Sequence, residues 1–111
     1  MAESIRIEAR PGAPLDRAAD SLAVLQAVAD PVRWTVLDRL ADGTHCVCDL
    51  QAHVPVAANL LSYHLKVLRD AGLVTTARRG RWVDYTLAAD ARDRLVAALP
   101  GALRSFAGAV T

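Results

Sequence analysis

One segment constrains the fold of this chain more than any other. It is an amphipathic stretch followed at once by two strand-like runs around an arginine-rich tip. In VAANLLSYHLKVLRDAGLV (residues 56–74), Ala57, Ala58, Leu61, Leu65 and Leu68 fall on one stripe at helical spacing. Asn59, Ser62, Tyr63, Lys66 and Asp70 occupy the opposite face with Arg69 at its edge, and Gly72 supplies a C-terminal stop. Residues 73–77 and 82–87 then read as strands. The second alternates Val83, Tyr85 and Leu87 against Trp82, Asp84 and Thr86. Between them lies Arg78-Arg79-Gly80-Arg81, whose glycine permits the positive φ of a tight hairpin tip.

The rest of the chain supplies helices. Leu22, Leu25 and Val28 give a first helix over residues 16–29, and Asp30-Pro31 reads as a cap and first-turn proline opening a second. Val36, Leu37 and Leu40 form the buried face of that second helix, which stops at Asp42-Gly43. A short third helix is expected over residues 44–53, broken by Val54-Pro55. Asp90 is expected to cap a last helix with Leu95, Leu99, Leu103 and Phe106 on one face, kinked or broken at Pro100-Gly101. The expected class is mainly α with a small β-hairpin, a winged helix-turn-helix of order ααααββα. Residues 1–14, with Pro11, Gly12 and Pro14, read as a flexible N-terminal arm, and residues 15–108 as one domain.

Composition narrows the function. With 53% hydrophobic and 23% charged residues in 111 positions, the chain is not disordered. It has no apolar run long enough to span a membrane, and MAESIRIEAR lacks the apolar core of a signal peptide. The expectation is a soluble, cytoplasmic protein. No G-x-S-x-G, Gly-rich phosphate loop or H-E-x-x-H is present, so no enzyme and no small-molecule substrate are expected. The net charge of +1 is unevenly spread. Five arginines against eight acids leave −3 over residues 1–55, whereas five cations against Asp70 and Asp84 leave +3 over residues 56–87. A basic segment on an acidic protein suits a local polyanion site.

The polar face of the fourth helix can be a solvated surface or a base-reading one. The hairpin that follows favours duplex DNA, with Lys66, Arg69, Arg78, Arg79 and Arg81 meeting phosphates. His64 lies at the border of the buried stripe, between a packed core histidine and a groove contact. Trp34, Trp82 and Tyr85 read as packing residues, and Arg33 as an ion-pair partner. Cys46 and Cys48 stand one residue apart, too close to staple distant elements. They are either small buried hydrophobes or a soft-metal ligand pair. Two positions apart on a helix they diverge by about 200°, and a disulfide between them closes a small strained ring, so none is expected. Distortion at a frayed first turn would let an ion draw both sulfurs together, and a helix N-terminus favours their thiolates. His45 and His53 are either solvated residues or further ligands, and Asp49 is a further oxygen donor.

Taken in order, AVADPVRWTVLDRL, HCVCDL, LLSYHLKVLRDAGLV and RRGRWVDYTL resemble the ArsR/SmtB family of metal-responsive bacterial repressors over residues 25–88. The resemblance implies a winged-helix homodimer whose first and last helices pair across the two-fold axis. Leu22, Leu25, Leu95, Leu99, Leu103 and Phe106 would line that interface. The fourth helix would enter the major groove of an operator half-site through Asn59, Ser62, Tyr63 and His64. HCVCDL is similar to the arsenite-sensing motif of the arsenic-responsive branch, which often carries a third cysteine where this chain has Gln51. Cys46, Cys48 and His45 are therefore the expected effector site. As(III) or Sb(III) is the favoured ion, and its binding lowers operator affinity; the alternative is a Zn(II)-, Cd(II)- or Ni(II)-responsive repressor or activator of the same fold. A different class of reading is a winged helix that binds another protein and no DNA.

Overall fold

The computed structural model describes residues 14–101 and 103. Its elements are α1 (Pro14–Val28), α2 (Pro31–Leu40), β1 (His45–Cys46), α3 (Val47–His53), α4 (Ala58–Asp70), β2 (Val74–Arg79), β3 (Trp82–Leu87) and α5 (Ala91–Ala97). The expected order is present with one addition. Residues 45–46 are extended and pair antiparallel with β3, giving a three-stranded sheet of order β1-β3-β2. The third helix therefore starts at Val47, not at Thr44. Pro14, assigned to the arm by the sequence, already belongs to α1. The expectations for residues 1–13 and for Phe106 fall outside the described residues.

The local chemistry follows the side chains. Asp30 Oδ1 accepts from the N–H groups of Val32 at 2.8 Å and Arg33 at 3.1 Å, and Pro31 stands where no helix N–H is needed. The hairpin pairs Val74 with Leu87 through Arg79 with Trp82. Gly80 closes it at φ +64°, a conformation that favours glycine. Asp90, expected as a cap, makes no side-chain capping bond at α5. α5 ends at Ala97, three residues before Pro100, and residue 101 is again helical.

The core lies where α2, α3 and α4 meet the base of the sheet. Val36, Leu50, Leu61, Leu65, Leu68 and Leu73 are fully buried, each contributing about 1.5–3 kcal/mol of burial. Ala57 and Ala58, expected in the α4 stripe, are exposed. The stripe is instead Leu61, His64, Leu65 and Leu68. α1 packs on α5, α2 and α4, which leaves Leu15 and Leu22 exposed on its outer side.

Candidate nucleic-acid interface and thiol site

α3 and α4 form the helix-turn-helix. The turn between them is tied by Gln51, whose Nε2 donates to the Val56 carbonyl at 2.6 Å. On α4, Asn59, Ser62, Tyr63, Lys66 and Arg69 all face solvent, Tyr63 at 58% exposure. Leu60, which the sequence did not single out, is 43% exposed in the first turn of the same helix. It stands about 100° around the helix from Leu61, an offset that helical spacing alone could have marked. His64 is the exception to the expected DNA-facing set. It is 7% exposed and turned inward, with Nδ1 2.9 Å from Arg33 Nη1, so it is not available to a groove. Its place three residues after Leu61 and four before Leu68 puts it on the buried stripe.

Two of the expected phosphate cations have intramolecular partners. Lys66 Nζ donates to Asp70 Oδ2 at 2.7 Å, one turn along α4. On the wing, Arg79 forks onto Asp84, Nε to Oδ2 at 2.9 Å and Nη2 to Oδ1 at 3.1 Å. The Arg79 hydrogen bonds hold the Asp84 carboxyl below its usual range, and the Lys66 hydrogen bond does the same for Asp70. Arg69, Arg78 and Arg81 are exposed. Trp82, expected to pack, is 44% exposed, while Tyr85 packs against the core. Trp34 is also exposed, on α2. Beside it, Val28, Leu37, Leu87 and Leu95 line a half-open apolar groove.

Cys46 ends β1 and is the N-cap of α3, its Sγ accepting from the Asp49 N–H at 3.3 Å. Contrary to expectation, Cys46 and Cys48 are joined as a disulfide. The sequence reading placed both on a helix, where they diverge. Cys46 is instead extended, at φ −75° and ψ 163°, and the two Cα atoms are 5.3 Å apart, within the ordinary disulfide span. Cys46, Cys48 and Asp49 bring ligand atoms within 4.8 Å of one another. His45 is not in that group. The His45 ring adjoins the group through Asp49 at 3.6 Å, but its hydrogen bond, at 2.8 Å, goes to Asp42. The His45 hydrogen bond lowers the Asp42 carboxyl. His53 is exposed at the end of α3. The fit to an ion is thus two soft sulfurs and one carboxylate, available once the disulfide is reduced.

The residues expected at a subunit interface, on α1, on α5 and beyond it, divide into two groups. Leu22 and Leu103 are exposed, whereas Leu25, Leu95 and Leu99 are half-buried within this chain.

Comparison with known proteins follows the same outline. The family model for bacterial regulatory proteins of the arsR family matches residues 30–76. The HTH-type transcriptional regulator NmtR of Mycobacterium tuberculosis is 38% identical over 89 residues, covering 78% of this chain and 74% of that protein. The arsenical resistance operon repressor of Bacillus subtilis is 43% identical over 63 residues, covering 56% of this chain and 60% of that one. A crystal structure described as a possible transcriptional regulator for arsenical resistance superposes with a TM-score of 0.66. It shares 31% identity and covers 80% of this chain and 97% of that chain.

Proposed function

Because the chain belongs to the ArsR family of bacterial regulatory proteins, DNA-binding transcription regulators and not enzymes, we propose that it is a cytoplasmic operator-binding repressor released by a thiophilic ion at Cys46 and Cys48. The carrying observation is one arrangement. A solvent-facing row of Asn59, Ser62 and Tyr63 on α4 leads directly into an arginine wing, and the thiol-bearing strand β1 is hydrogen-bonded to that wing. α4 lies in the major groove, where Asn59, Ser62 and Tyr63 read base edges. Arg69, Arg78 and Arg81 hold the phosphates on either side, joined by Lys66 when it leaves Asp70, while Arg79 stays forked onto Asp84.

Two copies act together on two half-sites. Leu15 and Leu22 on α1 and Leu103 beyond α5 are the exposed apolar side chains that a second copy covers. In the reduced protein Cys46 and Cys48 offer two thiolates to As(III) or Sb(III), with Asp49 as an oxygen donor alongside. That same Asp49 carboxylate favours a second reading, a Zn(II), Cd(II) or Ni(II) effector, because those ions accept mixed sulfur and oxygen ligands.

The experiment is a fluorescence-anisotropy titration of a duplex that the reduced protein selects from a random pool, with arsenite, antimonite or each divalent ion added. Arsenite is expected to raise the dissociation constant for wild type and to leave Cys46→Ser/Cys48→Ser unchanged. An equal arsenite response in both proteins refutes the thiol site. Weak, salt-insensitive binding to every duplex refutes operator recognition and leaves the protein-interaction reading.

A further inference from the structure

We infer that Arg33 and His64 form a latch that fixes the rotation of α4 and so positions its base-facing side chains, an inference that rests on the DNA-reading role proposed for α4. Three segments meet on one guanidinium. Arg33 Nε donates to the Ala27 carbonyl at 2.7 Å and Nη2 to the Gln26 carbonyl at 3.3 Å. Both carbonyls belong to the last turn of α1, and that of Gln26 also accepts from the Ala29 N–H at 3.3 Å. The remaining arm, Nη1, reaches His64 Nδ1 at 2.9 Å. Arg33 itself lies in the first turn of α2, and its backbone N–H is held by Asp30.

A guanidinium has donors only, so His64 Nδ1 is the acceptor and the ring proton is assigned to Nε2. His64 is the single polar or charged side chain that is buried among the described residues. The neighbours on its own stripe, Leu61, Leu65 and Leu68, are hydrophobic. Hydrophobic burial is non-directional, so it keeps this face inward without singling out one hydrogen-bonding geometry. The single charge-assisted bond from Arg33 to His64 is directional, and both of its ends are anchored. The carboxylate of Asp30 stands 3.9 Å from His64 Nδ1 and is itself pinned by the N–H groups of Val32 and Arg33. Immediately beyond the latch, the ring of Tyr63 meets the His64 ring edge-on at 5.1 Å between centroids. A turn of α4 that breaks the latch therefore moves Tyr63, and with it Asn59 and Ser62. His64 is buried and Arg33 half-buried, so both act as positioning residues and not as groove contacts.

A role confined to stability and a role in positioning predict different binding patterns. The test uses the reduced full chain, a duplex selected by wild type from a random pool, and an unrelated duplex of equal length. His64→Leu keeps the bulk but removes the acceptor, and Arg33→Met keeps the stem but removes the donors. His64→Asn restores an oxygen near the position of Nδ1. We expect His64→Leu and Arg33→Met to lose about 10-fold or more on the selected duplex, the worth of one base contact. Affinity for the unrelated duplex and the salt slope should stay at wild-type values. His64→Asn should remain within about 3-fold of wild type, on the same one-contact scale.

Wild-type affinity in His64→Leu, or equal losses on both duplexes, overturns the latch. Where His64→Leu fails to give a cooperative melt, His64→Asn and His64→Gln decide. Gln places its oxygen nearer Nε2 and is expected to lose specific affinity, and parity between Asn and Gln overturns the inference. Failure of wild type to enrich any duplex refutes DNA reading itself, which separates that outcome from failure of the latch.

Discussion

Asp84→Asn is expected to tighten DNA binding and to steepen its salt dependence. Asp84 neutralises Arg79 through a two-bond fork and is itself only 18% exposed, whereas Arg79 is 64% exposed. At neutral pH the wing thus presents Arg78 and Arg81 as uncompensated charges and Arg79 as a neutralised one. Asparagine keeps the shape and one acceptor oxygen but removes the negative charge, so Arg79 becomes available to a phosphate. Each phosphate neutralised adds about 0.9 to the slope of log affinity against log salt. Raising salt four-fold, from about 50 to about 200 mM, then weakens binding by roughly a further 3.5-fold per wing and roughly 12-fold for a two-winged dimer. The variant should therefore outbind wild type most at low salt and converge on it as salt rises. The assay is anisotropy on one duplex across a potassium chloride series, with Asp38→Asn on α2 as a control that removes an acid outside the wing. An unchanged slope in Asp84→Asn would show that Arg79 already leaves its carboxylate on binding, and would refute the reasoning. Adding Arg79→Ala to the same background should cancel the gain.

Other outcomes concern the scaffold. Leu65→Ala, at a side chain 1% exposed, should cost about 2–5 kcal/mol and lower the melting midpoint by about 10 °C or more, read by circular dichroism. A fall under about 3 °C would mean that the site collapses around the missing atoms. Gly72→Ala should destabilise by about 1–2 kcal/mol in urea, because φ is +77° and a Cβ would stand 2.5 Å from Arg94 Nη1. Equal urea midpoints would refute that steric account. Partial burial pushes the Asp30 carboxyl up, yet the N–H groups of Arg33 and Val32 outweigh it and hold it below the ordinary aspartate value. Its contribution to stability is thus complete above that ordinary value and is lost as pH falls through the lower folded-state value. Asp30→Asn, still a good cap, should flatten the acid limb of a melting-temperature profile, and an unaltered limb would assign the acid loss to other carboxylates.

What could be read from the sequence follows the range of the interactions involved. Periodicity reported α4 and β3 well, because 13 and six residues respectively repeat one pattern against one core. It failed at β1. Two residues carry no period, and their extended form depends on β3, some 40 positions away, where His45 pairs with Tyr85 and Cys46 with Asp84. The same non-local cause hid the disulfide, since only an extended Cys46 can meet Cys48. His64 was ambiguous because helical spacing placed it on the stripe's border while its polarity argued for solvent. Arg33, 31 residues earlier, settles the matter by giving the ring a buried partner. Arg78-Arg79-Gly80-Arg81 gave the wing tip, but which arginine is neutralised depends on the β3 register that brings Asp84 within reach of Arg79.

Cys46 joins two parts of the proposed DNA-binding apparatus through groups that an ion must disturb. Its backbone lies in the β1–β3 ladder opposite Asp84, the carboxylate that holds Arg79. Its sulfur accepts the Asp49 N–H and so caps α3, the helix whose turn leads into α4. An ion that takes this sulfur also draws on Cys48 and on the Asp49 carboxylate, the second and third residues of α3. Capping of α3 then competes with ligation, and α3 has only seven residues over which to absorb the change. A longer helix would confine such a disturbance to its first turn. Here the first turn is about half of the helix, and the next residues, Val54 and Val56, are packed with the core beneath α4. Ligand chemistry at one sulfur is therefore placed to reach both the reading helix and the wing within a few residues, which is why the proposed sensor needs no relay through the α1 and α5 side of the fold.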